Sequence, residues 1–375
     1  MSVVEIAKEL ISFDTSGPPT KERPLAMWIR DFLDDLGADT EIQEVAPDRA
    51  NVVAKIGRAK SPGLLLSGHI DVVPPGKLDL WTVTSPFEPV IRDGKLYGRG
   101  ACDMKGPDAC ILQAARELVK ESFKRQLTLV FTSGEDTGGW FVTKVIEEGK
   151  VTTRDALFGV IPEPSMMRII RCHKAAGGAR IIIRGKAAHS STPDRGINAI
   201  LKGSDFIQEV AKFQDELNKT CHHLLGSTTL VPTLISGGFK SNIIPDLCEI
   251  TLNCRLIPQH RGVGTLTKWL EELIGKCSGE DETFKAEIVD VNVSEPLEVS
   301  EDSEIIRILK NLLKTEPIGA PYYTEAPNYT KAGIPTVICG PGDIEQAHTP
   351  NEYITLEQLS YGVAIFKNLV QKVCI

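Results

Sequence analysis

The chain has 375 residues, past the size at which one hydrophobic core keeps growing, so two domains, one of them possible as an insertion in the other, are the expected solution. With 42% hydrophobic and 25% charged residues the composition is globular and argues against disorder. The 42 Lys and Arg against 50 Asp and Glu give a net charge of -8 with no basic run, which argues against a nucleic-acid partner.

Residues 1–13 carry Glu5, Lys8 and Glu9 at helical spacing, with no basic segment before an apolar run, and read as a surface helix rather than a signal peptide. Residues 24–36 put Leu25, Trp28, Ile29, Phe32, Leu33 and Leu36 on one helical face, with Gly37 as the C-cap. Strand-like runs follow at 40–45, 51–56 and 63–66, the last leading into 67–73. Its almost wholly apolar character implies burial on both faces, hence a sheet between helix layers. A helix at 107–120, a strand at 126–132, a helix at 140–148 and a strand at 156–161 continue the rhythm of a layered α/β domain.

After about residue 171 the order changes to strand 179–184, helix 197–217, strands 228–236 and 248–256, helix 265–276 and strand 285–293. That is a βαββαβ unit, close to a ferredoxin-like α+β sandwich. From about 294 the first pattern returns, with a helix at 303–314, a strand at 336–339 and a terminal helix at 356–373. The expected organisation is a layered α/β domain in two parts, 1–174 and 294–375, with the α+β unit 175–293 inserted. No stretch approaches the roughly 20 apolar residues that span a bilayer. Nine cysteines without a CxxC pair read as reduced thiols in the cytoplasm.

Four polar clusters sit at the ends of apolar strands. In Ser67-Gly68-His69-Ile70-Asp71, His69 and Asp71 alternate along a strand and point to one side, where the carboxylate can hold the imidazole in the tautomer a metal needs. A buried histidine with a hydrogen-bonded aspartate looks the same. The glycine-rich Gly98-Arg99-Gly100-Ala101-Cys102-Asp103 fits neither the GxGxxG nor the P-loop spacing, which argues against a nucleotide. Asp103, just before a helix, suits a carboxylate bridging two cations or an ordinary helix cap. Glu135 and Asp136 are adjacent acids after a buried strand, costly unless cations are near; one can ligate while the other accepts a proton, or both can be a solvated turn. Glu163 and His348 each follow an apolar strand. Two imidazoles and three or four carboxylates without a thiolate suit Zn²⁺, Co²⁺ or Mn²⁺ in a hydrolytic two-metal site, where the ions activate a shared water and polarise the scissile carbonyl.

Over nearly its whole length, through these ordered motifs, the chain resembles the M20 family of co-catalytic metallohydrolases, the group of acetylornithine deacetylases, succinyl-diaminopimelate desuccinylases, aminoacylases and glutamate carboxypeptidases. The resemblance implies that His69 and Glu163 hold one ion, Asp136 and His348 the other, and Asp103 bridges them. It makes Asp71 the residue that orients His69 and Glu135 the general base. The family's usual acidic pair is Glu-Glu, so Asp136, one methylene shorter, is a departure. The inserted unit is similar to the family's dimerisation domain. Its His189, in Gly185-Lys186-Ala187-Ala188-His189, matches a histidine that reaches the partner subunit's site and stabilises the oxyanion. Asn242 and Arg255 match groups that bind the substrate carboxylate, although a surface strand arginine remains the other reading of Arg255.

Glu rather than Asp at 163 is similar to the deacylases and carboxypeptidases. The segment Tyr323-Thr324-Glu325-Ala326-Pro327, together with Gly340-Pro341-Gly342 and Gln346-Ala347-His348, most resembles acetylornithine deacetylases, with succinyl-diaminopimelate desuccinylases close behind, and makes Thr324 a further substrate contact. The expected activity is hydrolysis of the amide of an N-acyl amino acid by a homodimer, with two divalent ions, Zn²⁺ first, and no nucleic-acid or membrane partner. The alternatives are an exopeptidase or dipeptidase of the same family and a non-catalytic metal-binding descendant. The presence of Glu135 argues against the last.

Overall fold

The apolar run that begins at Gly63 forms the strand Gly63–His69, buried at every residue, in a computed structural model that describes residues 1–57 and 61–375. It lies between two parallel neighbours, Leu127–Thr132 and Ala156–Pro164, also buried almost throughout. Thr336–Gly340 continues the sheet in parallel beyond Ala156–Pro164. Arg49–Ile56 and Asp39–Ala46 extend it antiparallel on the other side. Strands with no exposed face need cover on both sides, and each fully buried Leu or Ile contributes about 1.5–3 kcal/mol.

The helices Val3–Ser12, Lys105–Leu118 and Leu356–Cys374 pack on one another and, through the latter two, on Gly63–His69. Arg23–Asp35 lies on the first two strands. Local chemistry sets their ends. Ser2 and Glu5 form a capping box at the first helix, as do Thr355 and Gln358 at the last, a device worth about 1 kcal/mol. At the end of Arg23–Asp35, Gly37 adopts φ +79° while Ala38 N–H donates to Leu33 O at 3.1 Å, the paired closure that favours glycine there.

This sheet belongs to a unit made of Met1–Arg171, Val299–Ile318 and Thr324–Ile375; a second unit comprises Cys172–Glu298 and Gly319–Tyr323. In the second, Ala175–Arg184, Thr229–Gly237, Leu247–Leu256 and Lys285–Val293 form an antiparallel sheet in the order 229–237, 247–256, 175–184, 285–293. With the helices Ala199–Leu217 and Val263–Glu280 this is the ferredoxin-like arrangement. Leu247–Leu256 alternates strictly, and Cys248, Ile250, Leu252, Cys254 and Leu256 join the helix residues Phe206, Val210, Leu266 and Leu270 in one core.

Two details depart from the sequence reading. The strand expected to run through 67–73 stops at His69, where Ile70 N–H makes a last bond to Thr132 O at 2.8 Å and the chain leaves the sheet. A small sheet of Val90–Arg92, Lys95–Tyr97 and Tyr353–Thr355 was not anticipated. Its register pairs Tyr97 with Tyr353. Among the described residues no helix is long and apolar enough to cross a membrane.

Candidate metal centre

Parallel strands that end in register bring their following loops together, and the polar clusters lie at those carboxyl ends. His69 is opposite Thr132 in the ladder, so the turn carrying Glu135 and Asp136 begins beside His69. Glu163 sits one residue before the end of Ala156–Pro164. His348 lies in the loop between Thr336–Gly340 and Tyr353–Thr355, and Asp103 in the loop before Lys105–Leu118.

Among the described residues, three sets of ligand atoms each fall within 4.8 Å of one another: His69, Asp103 and Glu163; Asp103, Asp136 and His348; and His69, Glu135 and Asp136. Asp103 divides its oxygens between the first two sets. Its Oδ1 is 3.2 Å from His69 Nε2, and its Oδ2 is 3.3 Å from His348 Nε2. Glu163 Oε1 lies 3.6 Å from His69 Nε2, and Asp136 Oδ1 lies 3.0 Å from His348 Nε2. Two ligand atoms on one tetrahedral Zn²⁺, each about 2.0–2.1 Å from the ion, are about 3.3 Å apart, so these separations fit shared cations. Despite its missing methylene, Asp136 stays within the set, and its Oδ2 is buried without a hydrogen-bond partner.

The electrostatics agree with that fit. His69 Nδ1 donates to the carbonyl oxygen of Asp71 at 2.9 Å, so the Nε2 lone pair faces the carboxylates, a contact that needs a cation or a proton. Burial disfavours the charged ring, but the Asp103 hydrogen bond and the negative charge of Glu163 outweigh it and raise the His69 pKa well above its ordinary value. Hydrogen bonds to Asp103 and Asp136 push His348 up to about 10. Burial, aided by neighbouring carboxylates, raises Glu135, Asp136 and Glu163. Asp103 is held below its ordinary value because the two histidines overcome its burial. Four acids crowded into one site are what divalent cations would relieve.

The Asp71 carboxylate is placed differently from what alternation along a strand implies. Because the strand ends at His69, the Asp71 carboxylate does not sit squarely against the ring. Its Oδ1 is 3.8 Å from His69 Nδ1, farther than its own carbonyl. The carboxylate instead accepts from Gly134 N (2.9 Å), Glu135 N (3.1 Å), Thr137 N (2.8 Å) and Thr137 Oγ1 (2.8 Å), and so holds the turn that carries Glu135 and Asp136. Arg49 supports the same turn through Thr137 Oγ1 and the Gly138 carbonyl.

The other expected site residues lie outside these ligand sets. Thr324 is fully buried, and its hydroxyl accepts from Ala326 N at 3.3 Å. In the second unit, His189 and Asn242 are neighbours: Ala188–His189 pairs with Ile243–Ile244, and Ser190 N–H donates to Asn242 O. His189 Nδ1 accepts from Ser191 N at 3.1 Å, which leaves the ring proton on Nε2 of an exposed side chain. Arg255 is at the opposite end of that sheet. It pairs with Ala176, whereas the end near His189 and Asn242 is marked by the Leu247 to Arg184 pair, eight residues back along the strand and roughly 26 Å away.

A layered α/β sheet with acids and imidazoles converging at its strand ends, and a ferredoxin-like unit inserted in the chain, defines the architecture of a two-domain metallohydrolase. The chain matches the model of peptidase family M20/M25/M40 over residues 65–372, and it belongs to that family of hydrolases. It is 31% identical over 377 residues to an acetylornithine deacetylase of Myxococcus xanthus, covering 98% of this chain and 96% of the relative. Among solved structures it is similar to the aminopeptidase PepT of Bacillus cereus, with TM-score 0.78, 20% identity and 98% of each chain covered. It is also similar to a metallo-carboxypeptidase of Sulfolobus solfataricus, with TM-score 0.77, 18% identity and 99% of each chain covered.

Two buried charges to which the sequence motifs assign no role also support the site: Glu352, which contacts the Asp103 loop, and Arg99, which pairs with Glu352. A charged residue between two glycines at a buried loop was the available signal, since a buried guanidinium requires a carboxylate.

Proposed function

We propose that the chain hydrolyses the amide bond of N-acyl amino acids, with two divalent cations, Zn²⁺ first among them, held by His69, Asp103 and Glu163 and by Asp103, Asp136 and His348. The division of the two Asp103 oxygens between two imidazoles carries this reading. Two such cations supply Lewis acidity, which polarises the scissile carbonyl and acidifies water. The remaining chemistry falls to the chain. Glu135 takes the proton of the attacking water on its carboxylate and returns it to the leaving nitrogen. Glu135 stands beside Asp136 in the turn that the Asp71 carboxylate holds, and its ligand atoms fall with those of His69, so its carboxylate is placed at the centre without being needed as a ligand in either set.

His189, with its proton on Nε2, is a donor suited to the oxyanion, and Asn242 and Arg255 suit the substrate carboxylate. Within one unit Arg255 stands roughly 26 Å along its strand from Leu247, the end that leads back to Asn242, which is farther than a small substrate reaches. If both contact substrate, they come from different subunits, which supports a homodimer. The edge strand Thr229–Gly237 is a surface for it: Leu234 (68% exposed), Ile235, Phe239 and Leu201 form an apolar margin that a soluble monomer would leave in water. The 31% identity to a protein named acetylornithine deacetylase supports acyl amino acids rather than peptides as substrates of this chain, and the reduced-thiol reading of the cysteines supports the cytoplasm.

The test is metal-stripped protein reconstituted with Zn²⁺, Co²⁺ or Mn²⁺ and given N-acetyl and N-succinyl amino acids beside dipeptides. Turnover of the acyl amino acids is expected; turnover confined to dipeptides would replace this reading with the exopeptidase one. For the shared site, inactive His189→Ala and Glu135→Ala proteins should regain activity when mixed under subunit exchange. Demonstrated exchange without recovery would reject it.

A further inference from the structure

Asp103 is the ligand with the most to do and the least regular structure beneath it. It lies in a loop, between the small strand Lys95–Tyr97 and the helix Lys105–Leu118, with no ladder of its own. A carboxylate that must present one oxygen to His69 and the other to His348 has to be fixed in rotation as well as position, since turning the side chain would withdraw one oxygen as it advanced the other.

We propose that Glu352 is the positioning residue that fixes Asp103, and that Arg99 holds Glu352 in place. This rests on the two-cation reading above. Glu352 is fully buried. Its Oε1 accepts from Cys102 N at 2.8 Å and from Asp103 N at 2.9 Å, the two peptide groups leading into the ligand. Its Oε2 takes the Arg99 guanidinium, which is itself buried and lies over the Trp81 ring at 5.2 Å. Two further bonds join the same segments: Gly98 N–H donates to the Glu352 carbonyl at 3.0 Å, and Cys102 Sγ–H donates to Asp343 O at 3.1 Å.

Because Glu352 follows His348 by four residues, one carboxylate couples the loop that carries His348 to the loop that carries Asp103. Burying an ion pair is costly and often gains nothing for stability over an apolar pair. Here the carboxylate's remaining capacity goes to the peptide groups of a ligand loop, which is how partners beyond the ligands orient a metal site. The ion shared by Asp103, Asp136 and His348 therefore depends on Glu352 more than the ion shared with His69 and Glu163, which sit on sheet strands.

The test is Zn²⁺ equilibrium dialysis of the full-length, metal-stripped protein, with thermal unfolding as a control. Wild type should take up two ions. Glu352→Asp keeps the charge for Arg99 but shortens the reach to the peptide groups. It should unfold cooperatively and bind the weaker Zn²⁺ about ten- to a hundredfold less tightly, the usual range for losing such a support. Arg99→Lys keeps the charge but gives up the planar fork, and should weaken the same ion by a smaller factor. A merely structural pair would lower the melting temperature and leave both Zn²⁺ affinities of the folded protein unchanged; that result in either variant overturns the proposal. Uptake of fewer than two ions by wild type would overturn the two-cation reading and this proposal with it. Two ions in wild type and unaltered affinities in the variants would overturn only the role of Glu352.

Discussion

His69 and Glu163 lie on strands with hydrogen-bonded neighbours on both sides, and each is at most 5% exposed. Asp136 and His348 lie in loops. His348 holds φ +63°, a conformation uncommon for a non-glycine residue, with its side chain half exposed, and Asp136 is in a turn where Gly134, Gly138 and Gly139 all have positive φ. The sheet positions the first pair as a by-product of folding. The loop ligands need dedicated supports: Asp71 holds the turn that carries Asp136, and Glu352, four residues after His348, holds the peptide groups leading into Asp103. One half of the centre is thus built by the core and the other by hydrogen bonds to remote carboxylates, so the two halves should differ in how readily they are lost.

Chelation is the coarsest way to break both halves at once. Activity on an N-acyl amino acid should vanish and return with Zn²⁺ or Co²⁺, and full turnover by protein with no measurable metal would remove the comparison altogether. Glu135→Gln probes the loop half without touching a proposed ligand. It should retain both ions by elemental analysis while kcat falls roughly 10²-fold or more, the scale of general acid–base catalysis. Near-normal turnover would move the base, with Asp136 next to be tested.

Asp71→Asn sharpens the contrast. If the Asp71 carboxylate chiefly holds the turn over 134–137, the ion at Asp136 and His348 should weaken, by about tenfold or somewhat more, and the one at His69 and Glu163 much less. The reverse order of losses would return Asp71 to the role of orienting His69.

The smallest expected effect is on stability. Burial raises Glu325 to about 8 from an ordinary 4.5, so the folded protein keeps a proton that the unfolded chain releases near pH 4.5. The native state therefore binds more protons between those values, and stability falls as pH rises through that window. His348, raised to about 10 from 6.5, adds a contribution that is present below 6.5 and lost toward 10. Metal-free protein should accordingly melt at lower temperature at pH 8 than at pH 5, and Glu325→Gln should flatten the decline. Because His173, lowered to about 4, and Lys105, lowered to about 7, act in the opposite direction, the sign is tested by the difference: an equally steep decline in Glu325→Gln and wild type would contradict it.

How much of this could be read from the sequence depended on the length scale of each signal. The buried strands over 63–69 and 127–132 announced themselves as unbroken apolar runs, and the strand over 247–256 by its alternation. The ligand candidates were legible because acids and histidines directly follow such runs. Three-residue strands are too short to show a period, and Tyr353–Thr355 finds its partner Lys95–Tyr97 more than 250 residues away in the chain. The geometry of Asp71 was misread for a related reason. Alternation predicts side-chain direction only while the strand lasts, and its end at His69 is set by a hydrogen bond to Thr132 on another strand. Arg99 marked itself as needing an acid, but 50 acids are available in the sequence and only the fold selects Glu352.

The most direct test of the central claim is anomalous diffraction at the zinc edge from crystals of Zn²⁺-loaded protein. Two peaks are expected in each chain, one among His69, Asp103 and Glu163 and the other among Asp103, Asp136 and His348, with the second weaker when zinc is limiting. A single peak, or zinc bound away from Asp103, would contradict the two-cation centre.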